Sequence, residues 1–111
     1  MSTIFKKIID KEIPATIIYE DEEFLAFNDI NPVAKIHVLV IPKKEIKNLN
    51  ETTDEDLLLL GKCQLVIAKI ARDLGIDKSG YRVVTNINSD GGQEVFHLHY
   101  HLLGGEKLKG F

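Results

Sequence analysis

The chain has 111 residues, of which 44% are apolar and 28% charged, and a formal net charge of −3. That size suits one domain, 1–111, able to bury about two-thirds of its unfolded surface without staples, and nothing in the acidic balance suggests general attraction to nucleic acid. Cys63 is the one cysteine, so no internal disulfide forms; with no signal-peptide pattern or long apolar run at Met1–Lys7, a soluble, cytoplasmic protein without membrane association is expected.

Residues 3–12 place Ile4, Phe5, Ile8 and Ile9 on one side of a helical repeat, which predicts a short N-terminal helix. Pro14 closes it by restricting Ile13. Ala15–Glu20 and Glu23–Asn28 read as two short strands joined by a turn at Asp21 and Glu22. Asp29-Ile30-Asn31-Pro32 then breaks the pattern, because Asp and Asn bond their own backbone and Pro32 has no N–H for a ladder. Lys35–Ile41 is a third strand, dense in β-branched residues and containing His37. Pro42-Lys43-Lys44 ends it, and Glu45–Leu49 suits a helical turn.

The longest element follows. Thr52 with Glu55 has capping-box spacing, Thr53 with Asp56 is a near variant, and helix is expected from about Asp54 to Leu74 with Gly75 as terminator. Its apolar residues form two offset stripes, Leu57, Leu60, Ile67, Ala71 and Leu74, and Leu59, Cys63, Val66 and Ile70. Together they exceed what one sheet face covers, which points to packing on a second subunit; a wide contact within the chain is the alternative. After the loop Asp77–Gly80, Tyr81–Ile87 is a fourth strand, Asn88–Gln93 a polar glycine-bearing turn, and Val95–Leu103 a fifth strand. One long helix, one short helix and five strands without a βαβ rhythm predict an α+β fold with a five-stranded antiparallel sheet.

The last strand carries the chemistry. Three of the four histidines stand at alternate positions, His97, His99 and His101. Successive strand side chains point to opposite faces, so these three share one face, each about 6.6 Å from the next, while Phe96, Leu98, Tyr100 and Leu102 share the core face. Three uses compete. A three-ligand metal site would need two of the row plus His37 or a carboxylate, because His97 and His101 start about 13 Å apart, and no cysteine pair supports it. Nucleophilic catalysis suits a ring that is neutral near pH 7: attack on phosphorus gives a phosphohistidine that water then cleaves. Gly91 and Gly92 permit close approach of backbone amides to phosphate oxygens, Gln93 adds a neutral amide, and neighbouring histidines orient the ring or donate a proton. The third use is a structural row whose rings bond one another. The glycine turn lies within four residues of the row, and that combination favours the nucleophile.

Gly91-Gly92-Gln93-Glu94-Val95-Phe96-His97-Leu98-His99-Tyr100-His101-Leu102-Leu103 resembles the histidine-triad signature, His-φ-His-φ-His-φ-φ with φ apolar. The wider chain is similar to the Hint branch, the histidine triad nucleotide-binding proteins, in Ile4–Ala15, Ala26–Pro32, His37–Lys44 and Tyr81–Gly92. The resemblance implies a HIT-like fold whose sheet continues across a homodimer. It implies a purine nucleotide site of AMP or GMP type and hydrolysis of purine nucleoside 5′-phosphoramidates and acyl adenylates. No metal or other cofactor is required, and any zinc would be adventitious. His99 would be the nucleophile that becomes nucleotidylated, His101 would contact the phosphate and help the leaving group, and His97 and His37 would fix ring orientation. Asp29 would bond the ribose hydroxyls. Ile4, Phe5, Ile8, Phe27 and Ile30 would line the base pocket, and Asn86, Gly92, Gln93, Glu94 and Val95 would surround the phosphate.

The chain departs from some members. Glu94 stands where some Hint proteins carry serine; an ionised carboxylate donates no hydrogen bond and repels phosphate if turned inward, so Gln93 is the stronger expected contact and Glu94 serves through its amide. Glu45 replaces a histidine of some relatives, and the tail Glu106–Phe111 matches no pattern. Two other functions are compatible with the signature: a dinucleoside polyphosphate hydrolase of the same superfamily, and a nucleotide-binding adaptor with vestigial activity. The complete set of histidines weighs against the adaptor, since binding alone requires no nucleophile.

Overall fold

Five strands pair antiparallel throughout: β1 (Ile17–Glu20), β2 (Phe24–Asn28), β3 (Ile36–Pro42), β4 (Tyr81–Val84) and β5 (Tyr100–Gly104), in the spatial order β1-β2-β3-β5-β4. A short helix α1 (Ile4–Ile9) and a long helix α2 (Leu57–Asp73) complete the α+β architecture expected. The computed structural model describes residues 3–110; Met1 and Ser2, at the start of the opening segment, and Phe111, at the end of the tail, lie outside them.

Strand β3 is the spine, and its alternation divides the core. Val38 and Val40 face α2 and pack with Cys63, Val66, Ile67, Ile70, Leu98 and Leu102. Leu39 and Ile41 point the other way and join Phe5, Ile8, Leu25 and Phe27 under α1. The central strand is therefore apolar on both faces, as a strand covered on both sides must be. The β1–β2 turn is set by Asp21, whose Oδ1 accepts the N–H groups of Glu23 at 2.8 Å and Phe24 at 2.7 Å.

Helix boundaries differ from expectation for local reasons. Helix α1 begins where Thr3 Oγ1 accepts Lys6 N–H, but it stops at Ile9 rather than reaching residue 12. Lys11 takes a left-handed conformation (φ 62°), so the helix ends before Pro14 acts. The capping box is the Thr53–Asp56 variant: Thr53 N–H donates to Asp56 Oδ2 at 3.0 Å, and Thr53 Oγ1 accepts Glu55 N–H at 3.2 Å. Thr52 is unavailable, because its hydroxyl donates to the Leu49 carbonyl at 2.7 Å. A 3₁₀ turn at Asp54–Asp56 precedes α2. Gly75 (φ 74°) ends the helix, and Ile76 N–H returns to the Ala71 carbonyl at 3.0 Å. Most of the two apolar stripes merge into one buried face, but Leu57 leaves it and is 73% exposed beside Leu58 and Leu65.

The fourth and fifth strands are shorter than expected. β4 ends at Val84, and Thr85 Oγ1 donates to the His99 carbonyl at 2.8 Å instead of extending the ladder. β5 starts at Tyr100, not Val95, so His101 alone of the row lies in regular strand. The ladder between β3 and β5 stops at Val40 opposite Tyr100. Before it, Leu98 N–H bonds to the Ile46 carbonyl and the Val95 carbonyl accepts from Gln93 Nε2, so this backbone is satisfied off the sheet. The alternation consequently fails at Phe96, which is 44% exposed instead of facing the core.

Candidate active site

His37 and His101 are 64 residues apart in sequence but sit on neighbouring strands, with Leu39 registered opposite His101. Their rings meet at His37 Nε2 and His101 Nδ1, 2.9 Å apart. Val33 N–H reaches His37 Nδ1 at 3.2 Å. A backbone N–H only donates, so Nδ1 is the accepting nitrogen and a neutral His37 carries its proton on Nε2. That proton is donated to His101 Nδ1, which leaves His101 protonated at Nε2. Asp29 Oδ2 lies 3.4 Å from His37 Nε2, and its Oδ1 accepts Asn31 N–H at 2.8 Å.

The same reasoning assigns the middle histidine. His99 Nδ1 lies 2.7 Å from the His97 carbonyl. A carbonyl only accepts, so His99 holds a proton on Nδ1, and the neutral ring keeps its lone pair on Nε2. The rings of His99 and His101 stand 5.1 Å apart, and Phe5 packs edge-on against His99 at 5.0 Å. His97 contributes differently from the pairing expected: its backbone carbonyl orients His99, while its buried ring bonds the Pro42 carbonyl through Nε2 at 2.7 Å.

Burial holds all four rings below the ordinary histidine range. For His101 the depression reaches about 4, from burial first and then from the neighbouring His99 and His37. His99 and His97 are lowered by burial against the raising effect of carbonyl hydrogen bonds. His37 is lowered by burial against the nearby Asp29 carboxylate. The site is thus a cluster of neutral imidazoles at pH 7, with one lone pair and one N–H held in fixed places.

The rings of His37, His99 and His101, but not that of His97, open onto a cavity of about 360 Å³ lined also by Phe5, Asp29, Asn31, Val33, Leu39, Asn86, Gly92, Glu94 and Val95. A larger hollow of about 640 Å³, between the Gly75–Arg82 segment and the tail, contains no histidine. Asp29, His37 and His101 each offer a ligand atom within 4.8 Å of the others, the grouping of metal-ligand type found among the described residues. It uses one member of the row, where two were expected. Its two nitrogens already share a proton, which a cation would have to displace.

The family model described as HIT domain matches residues 10–108. The chain belongs to the HIT family. It is 49% identical over 106 residues to the purine nucleoside phosphoramidase of Escherichia coli K12, covering 96% of this chain and 89% of that protein. A histidine triad protein from Clostridium difficile superposes with a TM-score of 0.96 at 50% identity, covering 100% of this chain and 96% of that one. A HIT family hydrolase from Legionella pneumophila superposes at 0.95 with 47% identity, covering 97% and 96%.

In this HIT chain the expected base-pocket residues divide. Phe5 lines the cavity; Ile8 and Phe27 are buried behind it, with Phe27 edge-on to Phe5 at 5.4 Å. Ile4 and Ile30 do not line the cavity and are 47% and 86% exposed. The expected ranking of Gln93 over Glu94 is reversed. Gln93 is buried facing away: its Oε1 accepts from Asn48 Nδ2 and Asn88 N–H, and its Nε2 donates to the Lys47 and Val95 carbonyls. Its own N–H bonds the Asn88 carbonyl, and Gly92 N–H bonds Ser89. The N–H groups of Glu94 and Val95, by contrast, make no hydrogen bond among the described residues. Gly91 is tight against its own loop, since a Cβ there would meet the Ile87 carbonyl at 2.5 Å. The HIT cavity also uses Leu39, Asn31 and Val33, which sequence reasoning missed. Leu39 was recoverable, being two residues from His37 on one strand face; a backbone N–H such as that of Val33 leaves no signal in residue type.

Proposed function

We propose that this HIT protein is a nucleotide-binding hydrolase that cleaves the P–N bond of purine nucleoside 5′-phosphoramidates, and the related bond of acyl adenylates, through a nucleotidyl-His99 intermediate. The observation that carries the reading is the His99 Nδ1 contact with the His97 carbonyl at 2.7 Å, which presents the Nε2 lone pair to the cavity. In the first step that lone pair forms a bond to phosphorus as the P–N bond breaks. The departing nitrogen takes a proton from His101 Nε2, His101 having taken up one proton from solvent as the anionic substrate binds, so that the donation leaves its ring neutral. In the second step water attacks the same phosphorus, the P–Nε2 bond breaks, and one water proton restores His101. The Glu94 and Val95 amides suit the phosphate oxygens, Asp29 the ribose hydroxyls, and Phe5 with Leu39 the base. No step requires a metal or other cofactor.

The molecule would act as a cytoplasmic homodimer. Strand β4 ends the sheet, and Tyr81 and Val83 on it are exposed, as are Leu57 and Leu65 on α2. An open edge and an apolar helix face are the features a two-fold partner covers by continuing the sheet.

The experiment is the intact mass of wild type and of His101→Ala, each quenched after mixing with an adenosine phosphoramidate. A nucleotidyl adduct that maps to His99 is expected, strongest in His101→Ala. Nucleotide binding with neither adduct nor product on any phosphoramidate would sink the proposal in favour of a binding module. Faster turnover of a diadenosine polyphosphate would move it to the other hydrolase class.

A further inference from the structure

The charge of the cavity is unusual for a site that would hold a phosphate ester. Among its lining residues there is no lysine or arginine, and there are two carboxylates, Asp29 and Glu94. His37 and His101 each accept a hydrogen bond at Nδ1 and so carry no positive charge, and burial holds the His99 ring on the neutral side as well. The two carboxylates stand on different walls. Asp29 comes from the loop between β2 and β3 and is occupied by Asn31 N–H and His37. Glu94 comes from the loop before β5, is exposed as well as lining, and makes no hydrogen bond or ion pair among the described residues.

An in-line displacement sends the leaving group away from the attacking nitrogen. With His99 buried at the floor, the leaving amine faces the mouth, where Glu94 stands. Resting on the phosphoramidase reading, we infer that Glu94 selects the leaving group: the favoured substrates are nucleoside phosphoramidates whose amine carries a second, positively charged group a few carbons from the scissile nitrogen. Such a substrate is a zwitterion, so its cation meets Glu94 while its phosphate meets backbone and imidazole N–H donors. The same charge disfavours the product. A phosphoramidate carries one negative charge, whereas a free nucleoside monophosphate carries close to two at neutral pH. The carboxylates therefore bind product less well than substrate and hasten its release.

The test compares three adenosine 5′-phosphoramidates of matched length: 5-aminopentylamide (cationic), hexylamide (neutral) and 6-aminohexanoate amide (anionic). Wild type should prefer the cationic over the neutral amide by about tenfold in kcat/KM at low salt, with the anionic one slowest. The preference should shrink as ionic strength rises. In Glu94→Gln and Glu94→Ser the cationic-to-neutral ratio should fall to about twofold or less, whatever the absolute rates, and AMP should inhibit both variants more strongly than wild type. Equal rates on all three amides by wild type, or an undiminished ratio in both variants, would overturn the inference alone. Turnover of none of the three by wild type would overturn the phosphoramidase reading and this inference with it.

Discussion

Gln93 looks from sequence like a phosphate ligand and from structure like a buried brace, and a substitution separates the two. Gln93→Leu keeps the volume and removes four hydrogen bonds, at 3.0 and 2.9 Å to Oε1 and 2.8 and 3.0 Å from Nε2. Asn48 Nδ2 keeps a second acceptor in Asn88 Oδ1 at 3.0 Å, so three groups lose this partner: Asn88 N–H and the carbonyls of Lys47 and Val95. Each unsatisfied buried group costs about 1–3 kcal/mol. Water reaching the exposed side of this turn and the added apolar burial offset part of that, leaving a net loss of about 2–4 kcal/mol. This is a sizeable part of the stability of an ordinary domain and still leaves it folded. Urea melts at pH 7.5 measure it, and the loop carrying the Glu94 and Val95 amides should lose hydrogen-exchange protection before the sheet does. Gln93→Glu adds a control: its carboxylate would face two carbonyls, so that variant should recover stability as pH falls and the acid protonates. A Gln93→Leu protein within about 0.5 kcal/mol of wild type, with weakened nucleotide binding, would refute the brace and restore the ligand.

Acid should destabilise the protein in a defined direction. Burial lowers the four histidine pKa values, so below their ordinary value of 6.5 the unfolded chain binds more protons than the folded one. Stability is therefore full above pH 6.5 and is lost as pH falls toward the folded values, about 4 for His101. Each such ring contributes up to about 1.4 kcal/mol per pH unit, and His101→Gln should reduce the slope of stability against pH by about that amount; identical slopes would contradict the assignment. Replacing His37 with Phe removes the proton that holds His101, so single-turnover rates should fall roughly 10–100-fold while KM changes little; a loss under about twofold would show that His101 needs no such partner. Thr53→Ala should cost about 1 kcal/mol in thermal unfolding through the cap, and more than Thr52→Ala; the reverse order would mean that the box is the other pair.

Much of this molecule was legible before any coordinates. The β-branched run within Lys35–Ile41 announced a strand, Asp21 its neighbouring turn, and Gly75 the end of the long helix, because each depends on residues close in sequence. The alternation of His97, His99 and His101 singled out the segment of the candidate site for the same reason. Tertiary structure decided the rest. A strand ends where its backbone finds other partners, and the side chains of Gln93 and Thr85 supplied them for residues 95 and 99, so the row is not a regular strand and Phe96 faces outward. Which ring offers a lone pair to the cavity and which an N–H rests on the Val33 N–H and the His97 carbonyl, backbone groups that every sequence has and only a fold can aim. Pairing His37 with His101 across 64 residues is a matter of strand register, and register is settled by the packing of whole sheet faces.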